Sequence, residues 1–143
     1  MNPPLSPPRN LLVVIEYDGT NYCGWEDQTN GTGVQAVVRQ AVQRITSEET
    51  TINGAGRTDA GVHALGQAAT FTLQHRMACD ELLRALNAVL PPDIAIRECR
   101  EVSLRFHARF SATGKRYRYT ILNDPVRSPL LDRTSHQIRT QLD

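Results

Sequence analysis

The chain has 143 residues, 40% of them hydrophobic, and a net charge of +1. This length allows one domain with a buried core, and the ordinary composition argues against a disordered chain. No apolar run approaches the ~20 residues that a bilayer requires, which argues against a membrane-spanning protein.

Prolines crowd residues 1–10, which we predict to be a flexible leader and not a signal peptide, because no apolar run follows Met1. The three cysteines, Cys23, Cys79 and Cys99, lie far apart and lack Cys-x-x-Cys spacing. This usage favours a reduced, cytoplasmic interior and argues against a disulfide framework or a metal site.

Local patterns predict a strand, a loop and a helix at the start of the chain. Residues 11–17 are apolar and β-branched and end at Asp-Gly, which indicates a buried strand. Residues 21–33 contain glycines and polar residues and indicate a loop. Trp25 in that loop is either a core plug or an aromatic surface for a base, and the plug is the commoner case. Apolar residues recur with helical spacing over residues 34–45.

The remaining patterns complete an α+β fold. Four further strands are predicted, over residues 50–53, 67–73, 94–102 and 116–122. A second helix is predicted from an N-cap at Asp80 through Val89. The order β-α-β-β-α-β is the ferredoxin-like pattern with an added strand, an antiparallel sheet with helices on one face.

Residues 54–64 are the most unusual segment. Glycines at 54, 56 and 61 suit a main chain that bends closely around a ligand. Arg57 and Asp59 flank Thr58, and an ionised carboxylate beside an arginine is a possible nucleophile. The alternative is an ordinary turn with an exposed ion pair, worth less than about 1 kcal/mol. The residues alone leave both interpretations open.

Basic residues crowd one later stretch that contains only two acids. They are Arg97, Arg100, Arg105, Arg109, Lys115, Arg116 and Arg118. Such a stripe is typical of a nucleic-acid interface, although a solvated charged face explains the charge equally well.

Gly-Arg-Thr-Asp-Ala-Gly-Val-His at residues 56–63 closely resembles the signature of the tRNA pseudouridine synthase A family. Further family motifs follow in the same order, at residues 15–20, 24–25, 87–91, 106–113 and 117–119. The resemblance runs from Leu11 to about Leu122, and we predict a ferredoxin-like domain over 11–122. Family members are typically about twice as long, so residues 123–143 are expected to be a tail or the start of a linker to an absent second half.

The resemblance implies a role for each matching residue. Asp59 corresponds to the family's nucleophile, and Arg57 to an arginine that pairs with this carboxylate and fills the space left by the extruded nucleotide. Tyr117 corresponds to the active-site tyrosine that stacks on the flipped base. His63 is the second choice as general base, since imidazole titrates near neutrality, but a histidine packed in a loop is commoner. Phosphate contacts are expected from Arg109, Lys115, Arg116 and Arg118.

The implied function is isomerisation of uridine to pseudouridine in the anticodon stem-loop, at tRNA positions thirty-eight to forty. The implied enzyme is a cytoplasmic homodimer that needs no cofactor and no metal. The alternative is a truncated, non-catalytic RNA-binding domain. One departure stands out: Glu26 and Asp27 replace the glutamine and basic residue that the family usually carries, which should repel phosphate.

Overall fold

Between residues 9 and 102 the strands and helices follow the order that the sequence predicts. The structure is a computed structural model, and it describes residues 6–143. Its elements are β1 (Arg9–Tyr17), α1 (Val34–Thr46), β2 (Asn53–Gly54), β3 (Ala64–Leu73), α2 (Cys79–Val89), β4 (Ile94–Val102), β5 (Ile121–Asn123) and β6 (His136–Ile138). One turn of 3₁₀ helix, Gly19–Asn21, follows β1. The chain divides into two units, of which the second spans Gly114–Asp143.

Four strands of the first unit form one antiparallel sheet in the order β2-β3-β1-β4. β1 lies in the middle, paired with β3 on one edge and with β4 on the other, and the apolar run of residues 11–15 suits this central position. This strand order and the β-α-β-β-α-β sequence are those of a ferredoxin-like fold, so the predicted α+β class is confirmed.

The core lies between one face of the sheet and both helices. Alternate residues of β1, Leu11, Val13 and Ile15, are fully buried there, because side chains of a strand alternate between its faces. α1 contributes Val34, Val38, Ala41 and Val42, and α2 contributes Leu82 and Leu86. These positions repeat with helical spacing, so each helix buries a single stripe.

Helix α2 begins slightly earlier than the prediction. Its N-cap is Ala78, and no side chain caps the helix there. Asp80 lies inside the first turn, where its negative charge stabilises the helix by interacting with the positive end of the helix dipole. The helix ends at Val89 ahead of Pro91, as predicted.

Three strand boundaries also differ from the predictions. β1 begins at Arg9, inside the predicted leader, because the buried guanidinium donates to the carbonyls of His75 and Met77 at 2.9 and 2.7 Å. The first five leader residues lie outside the described ones. The strand expected over residues 50–53 is reduced to Asn53–Gly54, which pair with β3, and β3 itself begins at Ala64.

The second unit contains a small sheet of its own. The strand expected over residues 116–122 is present only at Ile121–Asn123, which pairs in parallel with β6. The alternation of tyrosine and arginine predicts a longer strand, but Tyr117 is 64% exposed and so buries no face. The added strand is therefore not part of the four-stranded sheet. Within residues 6–143, no helix has the length and hydropathy needed to cross a bilayer.

Candidate active site

The segment between β2 and β3 is held in place at its first two residues, Ala55 and Gly56. The backbone N–H of Ala55 donates to the carbonyl of Ala68 at 2.8 Å, which extends the β2–β3 pairing by one step. Beside it, the buried side chain of Gln67 donates its amide to the carbonyl of Gly56. A buried amide that reaches a loop carbonyl fixes that part of the loop, because an unpaired polar group would be costly there.

The middle of the segment is held by residues that follow β1. Gly24 and Asp59 form an isolated antiparallel bridge, and the N–H of Trp25 donates to the carbonyl of Thr58 at 3.1 Å. Gly24 has φ of +113°, and a Cβ there would collide with the carbonyl of Thr58. Only glycine allows both that conformation and that approach of the two backbones.

The side chain of Thr58 points toward the core. Its hydroxyl lies 2.8 Å from the hydroxyl of Tyr17, the last residue of β1. Burial raises the pKa of Tyr17, and the hydrogen bond between Tyr17 and Thr58 opposes that rise in part. Trp25 stacks on the same tyrosine, with 6.4 Å between ring centroids, and is only 2% exposed. The interpretation of Trp25 as a core plug is thereby confirmed.

Arg57 and Asp59 point to the solvent on either side of Thr58. Both side chains are exposed, as expected for alternate residues of an extended segment whose middle residue is turned inward. Arg57 Nε lies 3.1 Å from Glu26 Oε1. Among the residues that the structure describes, Arg57 has no ion pair with Asp59, so its partner differs from the one that the resemblance implies.

Asp59 presents an accessible carboxylate on a fixed backbone. Its carbonyl accepts from the N–H of Val62 at 3.1 Å, and Gly61 donates to the carbonyl of Tyr22 at 3.3 Å. No hydrogen bond or ion pair to the Asp59 carboxylate occurs within residues 6–143. An exposed carboxylate held in this way can approach an electrophilic carbon or accept a proton without first breaking an internal contact.

His63, near the end of the segment, attaches it to the turn that follows β1. Its Nδ1 accepts the backbone N–H of Gly19 at 2.9 Å and lies 3.2 Å from Asp18 Oδ1. The two contacts exclude each other, because a nitrogen that accepts from Gly19 carries no proton for Asp18. We attribute the position of the ring to the Gly19 bond, which joins the loop to the turn after β1. This geometry matches the loop-packed histidine considered from the sequence.

The seven basic residues of the predicted stripe are all exposed, and within the described chain none of them forms an ion pair. Arg109 lies over the ring of Phe110, 5.8 Å from its centroid, and Phe110 itself is 79% exposed. Lys115, Arg116, Tyr117 and Arg118 belong to the second unit, so their roles stay predictions. In residues 6–143 no group of three His, Cys, Asp or Glu side chains could hold a metal ion.

Two supporting residues of the site are not foreseen from the sequence. Tyr17 falls in a predicted buried strand, but nothing local indicates its bond to Thr58. Gln67 is the first residue of the strand predicted over residues 67–73, and nothing in that pattern indicates its bond to Gly56. The available signal is a polar group at the end of an otherwise apolar strand, which must find a partner when it is buried.

Comparison with known proteins identifies relatives over nearly the whole chain. The profile of a family described as tRNA pseudouridine synthase matches residues 13–111. A tRNA pseudouridine synthase A from Citrifermentans bemidjiense is 50% identical over 135 residues, which make up 94% of this chain and 54% of that protein. Proteins of the same name from Geobacter sp. strain M21 and Acetivibrio thermocellus are each 47% identical, over 94% of this chain and 55% of theirs.

The chain spans about half the length of the curated relatives it matches. The family profile nevertheless covers most of the chain, including the bridged segments around Gly24 and Asp59. By this match the chain belongs to the tRNA pseudouridine synthase family.

Proposed function

We propose that this chain isomerises uridine to pseudouridine in tRNA, with Asp59 as the nucleophile. One observation carries the proposal: the Asp59 carboxylate is exposed on a loop whose backbone is fixed from both sides. A nucleophile that acts on a large substrate must be accessible and held in place, because a misplaced group forfeits much of the rate. Membership of the family supports the activity, and the resemblance of residues 56–63 to the family signature supports the choice of Asp59.

The reaction conserves atoms and electrons. The bond between N1 of the base and C1′ of the ribose breaks, the base turns, and a bond between C5 and C1′ forms. The C5 proton leaves and N1 ends with a proton, so no oxidant, reductant, cofactor or metal is needed. The target uridine must leave its stack to reach the carboxylate, which costs a few kcal/mol.

Substrate binding is assigned to the basic and aromatic side chains. Arg57 lies two residues from the nucleophile and would contact the nucleotide or a neighbouring phosphate. The stacking role belongs to Tyr117, and phosphate contacts belong to Arg109, Arg116 and Arg118. His63 would act near the nucleotide only through the atoms that its bond to Gly19 leaves available.

The proposed substrate is the anticodon stem-loop at tRNA positions thirty-eight to forty, and the proposed assembly is a cytoplasmic homodimer. Both follow from the family resemblance. RNA binding without turnover is the second candidate, because Arg57 pairs with Glu26 in this chain and not with the nucleophile.

Tritium release from C5-labelled uridine in unmodified tRNA tests the proposal. We expect release by the wild-type chain and none by Asp59→Asn, a nearly isosteric change. Asp80→Asn, at an exposed acid in the first turn of α2, is the matched control and should keep full release. Loss of release in both variants, or release that persists in Asp59→Asn, would contradict the role of Asp59. Retained tRNA binding without any release would favour the non-catalytic candidate.

A further inference from the structure

The ion pair between Glu26 and Arg57 follows from the register of two backbone segments. Gly24 is bridged to Asp59, and Trp25 donates to the carbonyl of Thr58. One step further along the same antiparallel pairing, Glu26 lies opposite Arg57, and their side chains meet at 3.1 Å. Oppositely charged residues that face each other across such a pairing attract, so the backbone itself selects this partner.

The backbone around Glu26 is fixed independently of the ion pair. The thiol of Cys23 donates to the Glu26 carbonyl at 3.3 Å, and the N–H of Cys23 donates to the carbonyl of Thr32 at 3.1 Å. On the other side, the carboxylate of Asp27 accepts the N–H of Gly33 at 2.6 Å. These bonds close the loop ahead of α1, so Glu26 is presented to Arg57 by a rigid segment.

The same register leaves Asp59 without a competing side chain opposite it. Its bridge partner is Gly24, which has none. Arg57 contacts one anionic group, Glu26, and a phosphate of a bound RNA would compete with Glu26 for the same guanidinium. Both side chains are exposed to solvent, 67% for Arg57 and 46% for Glu26. The ion pair is therefore weak, and a phosphate can replace Glu26 as the partner of Arg57.

We propose that Glu26 is a positioning residue that holds Arg57 away from Asp59 in the RNA-free protein and yields it to a tRNA phosphate on binding. This inference rests on the proposed function, since it needs tRNA as the ligand. It also revises the expectation that Glu26 simply repels RNA: the negative charge acts through Arg57, as a competitor that phosphate must displace.

The test compares Glu26→Gln with Glu81→Gln, which makes the same charge change at an exposed position on α2. Each is titrated with an anticodon stem-loop RNA over a range of salt concentrations. We expect Glu26→Gln to tighten the Kd by roughly fivefold at low salt and Glu81→Gln to leave it nearly unchanged. The slope of log Kd against log salt should also steepen in Glu26→Gln, by up to about one.

Repeating the titration in an Arg57→Gln background distinguishes an effect of the Glu26–Arg57 ion pair from an effect of net charge. If Glu26 acts through Arg57, the gain in RNA affinity caused by Glu26→Gln disappears in that background. A gain that persists there, an equal gain in Glu81→Gln, or weaker binding by Glu26→Gln would overturn the inference. In the free protein, the Arg57 Nε resonance should shift in Glu26→Gln, and an unmoved resonance would also count against the pair.

The outcomes for the proposed function are distinct from these. Binding by the wild-type chain without tritium release contradicts the isomerase proposal and leaves the competition between Glu26 and phosphate fully measurable. Absence of any tRNA binding refutes both. Turnover with no difference between the two glutamine variants refutes the role of Glu26 alone.

Discussion

The hydroxyl groups of Tyr17 and Thr58 lie 2.8 Å apart and join the end of the central strand to the middle of the candidate active-site loop. This bond turns Thr58 toward the core and thereby turns its neighbours, Arg57 and Asp59, toward solvent. The buried strand and the exposed carboxylate are thus connected through one residue.

Removing the hydroxyl of Thr58 tests this connection. Thr58→Val keeps the shape but leaves the tyrosine hydroxyl, on a residue only 3% exposed, without its partner. We expect the free energy of unfolding to fall by about 1–3 kcal/mol, whereas Thr58→Ser should retain most of the stability. Urea denaturation measures both. Thr51→Val, at an exposed position, is the control and should change stability by less than ~0.5 kcal/mol.

Alanine substitutions at the two glycines with positive φ, Gly24 and Gly61, distinguish the cost of backbone strain from the cost of a steric collision. Gly61 has φ of +78° and open space where a methyl group would lie, so Gly61→Ala should cost only about 1 kcal/mol of backbone strain. Gly24→Ala adds a collision with the Thr58 carbonyl to a φ of +113°. Its thermal midpoint should fall clearly further, and equal shifts for the two variants would argue against the close approach of the two segments.

Trp25 provides an optical test of the core-plug interpretation, since it is the only tryptophan in the chain. Because it is buried on Tyr17, its fluorescence should be shifted to the blue and should not be quenched when tRNA is added. Trp25→Ala should lower the free energy of unfolding by about 3–5 kcal/mol, and Trp25→Phe by less. Quenching by tRNA would instead indicate that a base stacks on the indole.

The raised pKa of Tyr22 leads to a prediction of how the free energy of unfolding changes at alkaline pH. Burial raises the pKa of Tyr22, and its 2.6 Å hydrogen bond to Asp93 together with the negative charge of that carboxylate raises it further. The folded protein therefore keeps a proton that the unfolded chain loses above its ordinary pKa of 10.0. The contribution is fully present below pH 10 and declines as the pH rises above it.

The matched variant is Tyr22→Phe, which cannot ionise. At neutral pH it should lose about 1 kcal/mol with the hydrogen bond to Asp93. Between pH 9 and pH 11 its stability should decline less steeply than that of the wild-type chain. Denaturation midpoints across this range give the comparison, and parallel curves for the two proteins would contradict the assigned cause.

The ferredoxin-like part of the fold could be predicted from local patterns. Residues 11–17 and 94–102 form strands, and the helix from Val34 is expected from its apolar spacing, because burial on one face imposes a period on the sequence. The second unit could not be predicted in the same way. Its residues 116–119 alternate arginine and tyrosine without burying a face, and β6 carries no periodic signal at all.

In the candidate site, too, some features could be predicted from the sequence and others could not. Arg57 and Asp59 stand out in the sequence because glycines and opposite charges are concentrated around them. Their partners are distant in sequence: Gly24 for Asp59, Glu26 for Arg57, and Tyr17 for the threonine between them. No local pattern encodes a bond between residues more than thirty positions apart.

By itself, the sequence determined the fold class, the central strand, both helices and the loop that carries the candidate nucleophile, because these depend on periodicity and residue type. Only the tertiary structure decided which way the loop's side chains face and which acid holds Arg57. The physical reason is backbone register: pairing Gly24 with Asp59 brings Glu26 opposite Arg57, and a shift of one residue would exchange the inward and outward faces.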